Sequence, residues 1–253
     1  MERFSRERAA ALLFSAAATD LLDLETVVGA VPDPDPDPTS AETTSLQAYR
    51  VPFTSTDGGC GLPGKLRPEP YPLLDELCAA RAALVGANGA AEWRACELRR
   101  LAQLRAVCAA VAAATAADWV GVYQVAAPAP GAGAWGGSED APSLQKLAYV
   151  GAPSRALFPL TPAFAAGSNN STVGLSGDTV VIHDTAGLPV DAPYYVCDGK
   201  VRSEVCTPIW GPEGALLGIM DAEAFAPHCF SAQRLAIILS ACKQLGDAGL
   251  LRS

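Results

Sequence analysis

Apolar side chains recur at helical spacing in some stretches of the chain and at every second position in others. From about Ala91 to Ala114, Trp93, Leu98, Leu101, Leu104, Val107 and Val111 keep an apolar stripe that predicts a long helix. Helices are also predicted over about Leu73–Ala87 and about Ser231–Leu245, the latter with Ser231 as N-cap. A short amphipathic pattern carries Leu12, Leu13 and Leu22 among the alanines of residues 1–30. The period then changes to two. Strands are predicted from Trp119 to Val125, Leu144 to Val150, Thr179 to His183, Glu204 to Trp210 and Leu216 to Phe225. Helix, strand, strand, crossover, three strands, helix is an order that suits an α/β (α+β) fold: an antiparallel sheet with helices packed on one face.

Outside these elements the pattern fails. Alternating Pro and Asp in residues 31–39 can build neither a helix nor a ladder and reads as a solvated linker. Residues 48–72 are irregular and rich in Gly and Pro. The expected organisation is an N-terminal helix and linker over residues 1–44, partly disordered, an irregular extension with a short helix over 45–90, and a folded domain over 91–248.

Half of the 253 residues are hydrophobic, enough for a sizeable core, although Ala bias contributes. A formal charge of -9 argues against nucleic acid and against an anionic membrane surface, both of which call for clustered Lys and Arg. No apolar run reaches the ~20 residues of a spanning helix. The expected compartment is the cytoplasm, with an organelle as the second choice. The cysteines are Cys60, Cys78, Cys96, Cys108, Cys197, Cys206, Cys229 and Cys242; several sit in helical patterns, so reduced thiols are expected.

Two local motifs carry no chemistry. Gly59-Cys-Gly-Leu-Pro-Gly64-Lys65 matches part of a phosphate loop, but Leu66 stands where the Mg²⁺-binding Ser or Thr belongs and Pro68 bars a following helix. Gly174-Leu-Ser176-Gly177 lacks the spacing of a nucleophile elbow. His183 and His228 have no second ligand at zinc spacing, there is no Cys-x-x-Cys, and no metal is expected.

Strand alternation gathers a more informative set. Trp119, Gly121 and Tyr123 share one strand face, Glu204 and Cys206 another, Asp221 and Glu223 a third. The residues between them, Val120, Val122, Val205 and Ala222, are apolar. The plain reading is a solvated sheet face. The alternative is a wall of aromatics and carboxylates suited to a small cationic or zwitterionic ligand.

Trp119-Val-Gly-Val-Tyr123, Tyr195-Val-Cys197-Asp198, Arg202-Ser-Glu204-Val205 and Gly218-Ile-Met-Asp221-Ala-Glu223 follow in that order, and together they resemble the GAF-type free methionine-(R)-sulfoxide reductases. The resemblance covers roughly Trp93 to Leu245 and implies a GAF domain over residues 91–248. It implies that Cys197 attacks the sulfoxide sulfur, that Trp119 and Tyr123 wall the pocket, and that Glu204, Asp221 and Glu223 bind substrate. Glu204 and Asp221 are also the expected catalytic acids, because reduction needs a proton delivered to the sulfoxide oxygen and clustered carboxylates hold one. The same negative field opposes a thiolate at Cys197, with Lys200 and Arg202 the nearby cations in sequence. No bound cofactor is implied; the reductant is an external thiol such as thioredoxin.

The chain departs from the family pattern at the resolving cysteine, where Ser176 stands, and near Ala166, where a further cysteine would fall. Cys206 and Cys60 are the internal candidates to resolve an oxidised Cys197, each read first as an ordinary buried or loop thiol. An external thiol could also reduce the sulfenic acid directly. The competing function is a GAF domain that kept its pocket for binding or sensing and lost turnover. Pairing through terminal helices into a homodimer is expected by analogy alone.

Overall fold

The period-two stretches become the strands of one antiparallel sheet, and the long helical stripes become the helices that cover it. The computed structural model describes residues 1–15, 22–31, 71–85, 90–189, 192, 194 and 198–252. In chain order these form β1 (Glu2–Phe4), α1 (Arg6–Ser15), α2 (Leu24–Gly29), α3 (Leu73–Val85), α4 (Ala90–Thr115), β2 (Trp119–Ala126), β3 (Ser143–Val150), β4 (Leu157–Pro159), α5 (Pro162–Ala165), α6 (Asn169–Ser176), β5 (Thr179–Ile182), β6 (Ser203–Trp210), β7 (Leu216–Ala224) and α7 (Ala232–Asp247). The sheet order is β1-β5-β6-β7-β2-β3-β4, and every neighbouring pair is antiparallel.

Alternation sorts the strand residues onto two faces. Val120, Val122, Val205, Met220 and Ala222 pack with Leu98, Leu101, Val107 and Val111 of α4 and Leu235, Ile238 and Leu245 of α7 in the main core. Trp119, Tyr123, Leu144, Val180, Cys206 and Ile219 form a second cluster on the opposite face, closed by Phe158 and by Val173 of α6. Ser231 caps α7 as the sequence predicts, its side chain accepting from the Arg234 N–H.

β1, β4, α5 and α6 are not visible in the hydrophobic pattern. Three-residue strands are too short to show a period, and α6 (Asn-Asn-Ser-Thr-Val-Gly-Leu-Ser) carries no apolar stripe. Instead α6 is set by its N-cap, Ser168, which accepts from the Ser171 N–H. The N-terminal elements pack on the sheet and on α7. β1 pairs with β5, the Leu24 N–H donates to Gln244 Oε1 at 3.0 Å, and Gln244 Nε2 donates to the Leu22 carbonyl at 2.8 Å. The Pro/Asp run from Pro32 onward and the Gly59–Lys65 turn with Cys60 lie outside the described residues. No helix among the described residues is long and apolar enough to cross a membrane.

Candidate functional site

A cleft opens on the sheet face opposite the long helices. It encloses about 680 Å³ of empty space, its open mouth included. Its floor is built from β2, β6 and β7. Antiparallel pairing sets Trp119 opposite Glu223, Gly121 opposite Asp221, and Glu204 opposite Glu223, so one patch of sheet gathers the aromatic and acidic residues. Trp119, Tyr123, Glu204, Asp221 and Glu223 all line the cleft.

Gly121 lets the aromatic wall lie down. A Cβ there would sit 2.2 Å from Trp119 Cη2, so the indole ring occupies the space a side chain would take. The ring is held from its other end by Nε1 donating to the Ala152 carbonyl at 2.9 Å. It stacks on Tyr149 at 6.2 Å with 16° between planes, while Tyr123 meets Phe158 edge to face at 5.5 Å.

The acidic side is dense. Glu204 and Asp221 are buried and Glu223 is half-buried, and one carboxylate oxygen of each lies within 4.8 Å of the other two. Glu204 Oε1 accepts from Asn169 Nδ2 at 2.5 Å, which ties β6 to the start of α6. All-oxygen donors at this spacing suit an ammonium group or a hard cation.

Lys146 is the residue that sequence reasoning missed. It is fully buried, yet it stands on the cleft side of β3. The β2–β3 register slips between Val122 and Tyr123, so Tyr123 pairs with Lys146 but Val122 pairs with Ala148. Leu147 is the extra residue, and the bulge brings Lys146 and Tyr149, three apart, onto one face. The Lys146 ammonium then lies 4.8 Å from the Trp119 ring, 5.5 Å from Tyr123 and 5.1 Å from Tyr149, and donates to Ser154 Oγ. Asn169 and Asn170 were also missed; both are buried and line the cleft. Their signal was the capping Ser168 just ahead of them.

The thiols separate. Cys206 is fully buried in the aromatic-side cluster and is not among the residues lining the cleft. Burial first, then the charges of Asp221 and Glu204, push its thiol well above the ordinary range. Cys197 and Cys60 lie outside the described residues. Tyr194 and Asp198, on either side of Cys197 in the chain, both line the cleft. Ser176 is exposed at the end of α6, where its Oγ accepts from the Asp178 N–H, and Ala166 is exposed too. Arg202 binds Asp184 through two 3.0 Å hydrogen bonds, which hold the Asp184 carboxyl below its usual range. The Lys200 ammonium lies 5.7 Å from the ring of Phe225, a residue at the edge of the cleft.

A model of the GAF domain family matches residues 99–248. This chain belongs to the GAF domain family. The cleft thus lies inside the GAF domain, on the face that α6 borders. Among solved structures, the GAF domain is similar to the type II free methionine-R-sulfoxide reductase of Thermoplasma acidophilum, at 21% identity over 59% of this chain and 92% of that one, with a TM-score of 0.45. It is similar to the free methionine-R-sulfoxide reductase of Neisseria meningitidis at 19% identity, covering 69% of this chain and 90% of that one, TM-score 0.42. It is similar as well to the GAF domain of an Acinetobacter phosphoenolpyruvate-protein phosphotransferase at 14% identity, covering 58% and 79%, TM-score 0.43. No curated protein gives a significant match to the chain.

Proposed function

We propose that this GAF domain binds free methionine-(R)-sulfoxide, or a similar small sulfoxide, in the cleft and reduces it through Cys197. One observation carries the reading. The aromatic pair Trp119 and Tyr123, the acids Glu204, Asp221 and Glu223, and the flanks of Cys197, Tyr194 and Asp198, all face the same cleft.

In this reading the carboxylates take the substrate's ammonium and deliver a proton to the sulfoxide oxygen, with Glu204 and Asp221 as the catalytic pair. The aromatic wall packs against the apolar end of the substrate. The Cys197 thiolate attacks sulfur, and oxygen passes to the cysteine, giving the sulfide and a sulfenic acid. A first external thiol condenses with the sulfenic acid and releases water; a second reduces the mixed disulfide and restores Cys197. Thioredoxin is a reductant of the right class. Cys206 is a poor resolving thiol in this scheme, because burial keeps it protonated.

The test is NADPH consumption with thioredoxin and thioredoxin reductase on separate R and S sulfoxides of free methionine. Turnover of the R form alone, abolished in Cys197→Ser, is the expected result. No turnover, also with dithiothreitol, overturns the reductase reading and leaves a ligand-binding GAF domain. The exposed Ser176, where the family carries a cysteine, is the observation that favours this second reading.

A further inference from the structure

Lys146 has no counterpart in the chemistry assigned so far. It stands behind the aromatic wall of a cleft whose other wall is acidic. It is fully buried, and the rings of Trp119, Tyr123 and Tyr149 surround its ammonium at 4.8, 5.5 and 5.1 Å. The rings that would attract a ligand cation therefore already meet the protein's own Lys146.

Ser154 links Lys146 to the cleft. Nζ can only donate, so Ser154 Oγ accepts from it. Ser154 lines the cleft, and among the described residues its own hydroxyl hydrogen has no acceptor. A hydroxyl that accepts from an ammonium is a polarised donor, suited to an anionic oxygen on a ligand.

The register separates the acidic strand from the lysine strand. Asp221 on β7 and Tyr149 on β3 both pair with Gly121 of β2, so the acidic strand and the lysine strand stand two places apart, roughly 10 Å at the backbone.

We infer that Lys146, acting through Ser154, makes the rim of the cleft beside the aromatic wall an anion-accepting point, so that the site selects zwitterions by their carboxylate as well as by their ammonium. Ser154 is the contact and Lys146 the positioning residue. The inference rests on reading this cleft as a site for a free amino-acid-type ligand, and not on turnover.

Calorimetric titration of the full chain tests it, with free methionine and methioninamide as probes at mildly acidic pH, where both amines are protonated. The amide keeps the ammonium and the side chain and loses only the anionic charge. The wild-type chain is expected to prefer the free acid by about tenfold or more, the worth of one charge-assisted hydrogen bond. Ser154→Ala, a half-buried loop position, should bring the ratio close to one, and Ser154→Thr, which keeps the hydroxyl, should restore it. Lys146→Met should lower the ratio in the same way, and circular dichroism checks its fold. A purely structural Lys146 would weaken both probes together and leave the ratio intact. Equal affinity for the two probes in the wild-type chain, an unchanged ratio in Ser154→Ala, or no binding of either methionine or its sulfoxide would overturn the inference. An intact ratio in a chain without turnover sinks the reductase reading alone; turnover without the ratio sinks only this inference.

Discussion

At Gly121 the missing side chain makes room for an indole. The Trp119 ring lies 2.2 Å from where a Cβ would be, so Gly121→Ala forces the ring off the floor and away from Tyr149. Ligand affinity in that variant is expected to fall at least about tenfold, with a smaller loss of stability, and calorimetric titration beside a thermal melt would separate the two. Glu204→Gln tests the acidic wall: it keeps the shape and the Asn169 contact but removes the charge. In the reductase assay it should cost about a hundredfold or more in kcat/KM, while full retained turnover would remove Glu204 from the mechanism. At this scale much of the site was legible. A period of two set Trp119 beside Tyr123 and Asp221 beside Glu223, and the sheet brought those faces together. Lys146 was hidden because simple alternation groups it with Leu144 and Ala148, whereas the bulge at Leu147 parts it from Ala148 and joins it to Tyr149.

Elements differ in how strongly their own sequence specifies them. α4, α7 and the five longer strands announce themselves, because each buries a full stripe or face against a partner. α6 does not. Its residues are mostly polar, and a cap and one amide hold it at the cleft, Ser168 taking the Ser171 N–H and Asn169 reaching Glu204. Ser168→Ala is therefore expected to cost roughly 1 kcal/mol in urea unfolding. It should also weaken ligand binding, because Asn169 and Asn170 would be less firmly placed on the cleft wall. A variant with unchanged unfolding midpoint would mean that packing of Val173 under the sheet, and not the cap, positions this helix. β1 was illegible for another reason. Three residues show no period, and its pairing with β5 joins positions almost the whole domain apart in sequence.

Across the whole molecule, buried ionisable groups set how stability responds to pH. Burial pushes Cys108 up to about 12 from an ordinary thiol value of 9.0, and raises Cys206 and Cys242 as well. Tyr71 is likewise pushed to about 12, mainly by burial. In each case the unfolded chain releases its proton at lower pH than the folded one. The contribution is therefore complete below pH ~9 and is lost as the pH climbs toward 12. Melting temperature should fall steeply between pH ~9 and ~11, and less steeply in Cys108→Ala or Tyr71→Phe at matched ionic strength. A second whole-molecule feature is the fully buried Glu97. It accepts from Arg100 at 2.7 Å and from Arg252, while Arg81 stands 3.9 Å away, so one carboxylate pins the C-terminal segment to α4. Glu97→Gln leaves these arginines without their anion and should destabilise the fold by about 3 kcal/mol in denaturant titration. Both outermost strands, β1 and β4, are three residues long, and the eight- and nine-residue strands all lie inside. Among the described residues, each flank offers a stray chain only a few rungs to grip, so fibril growth by edge addition has little to template on; even clipping off the first five residues would uncover only the four residues of β5.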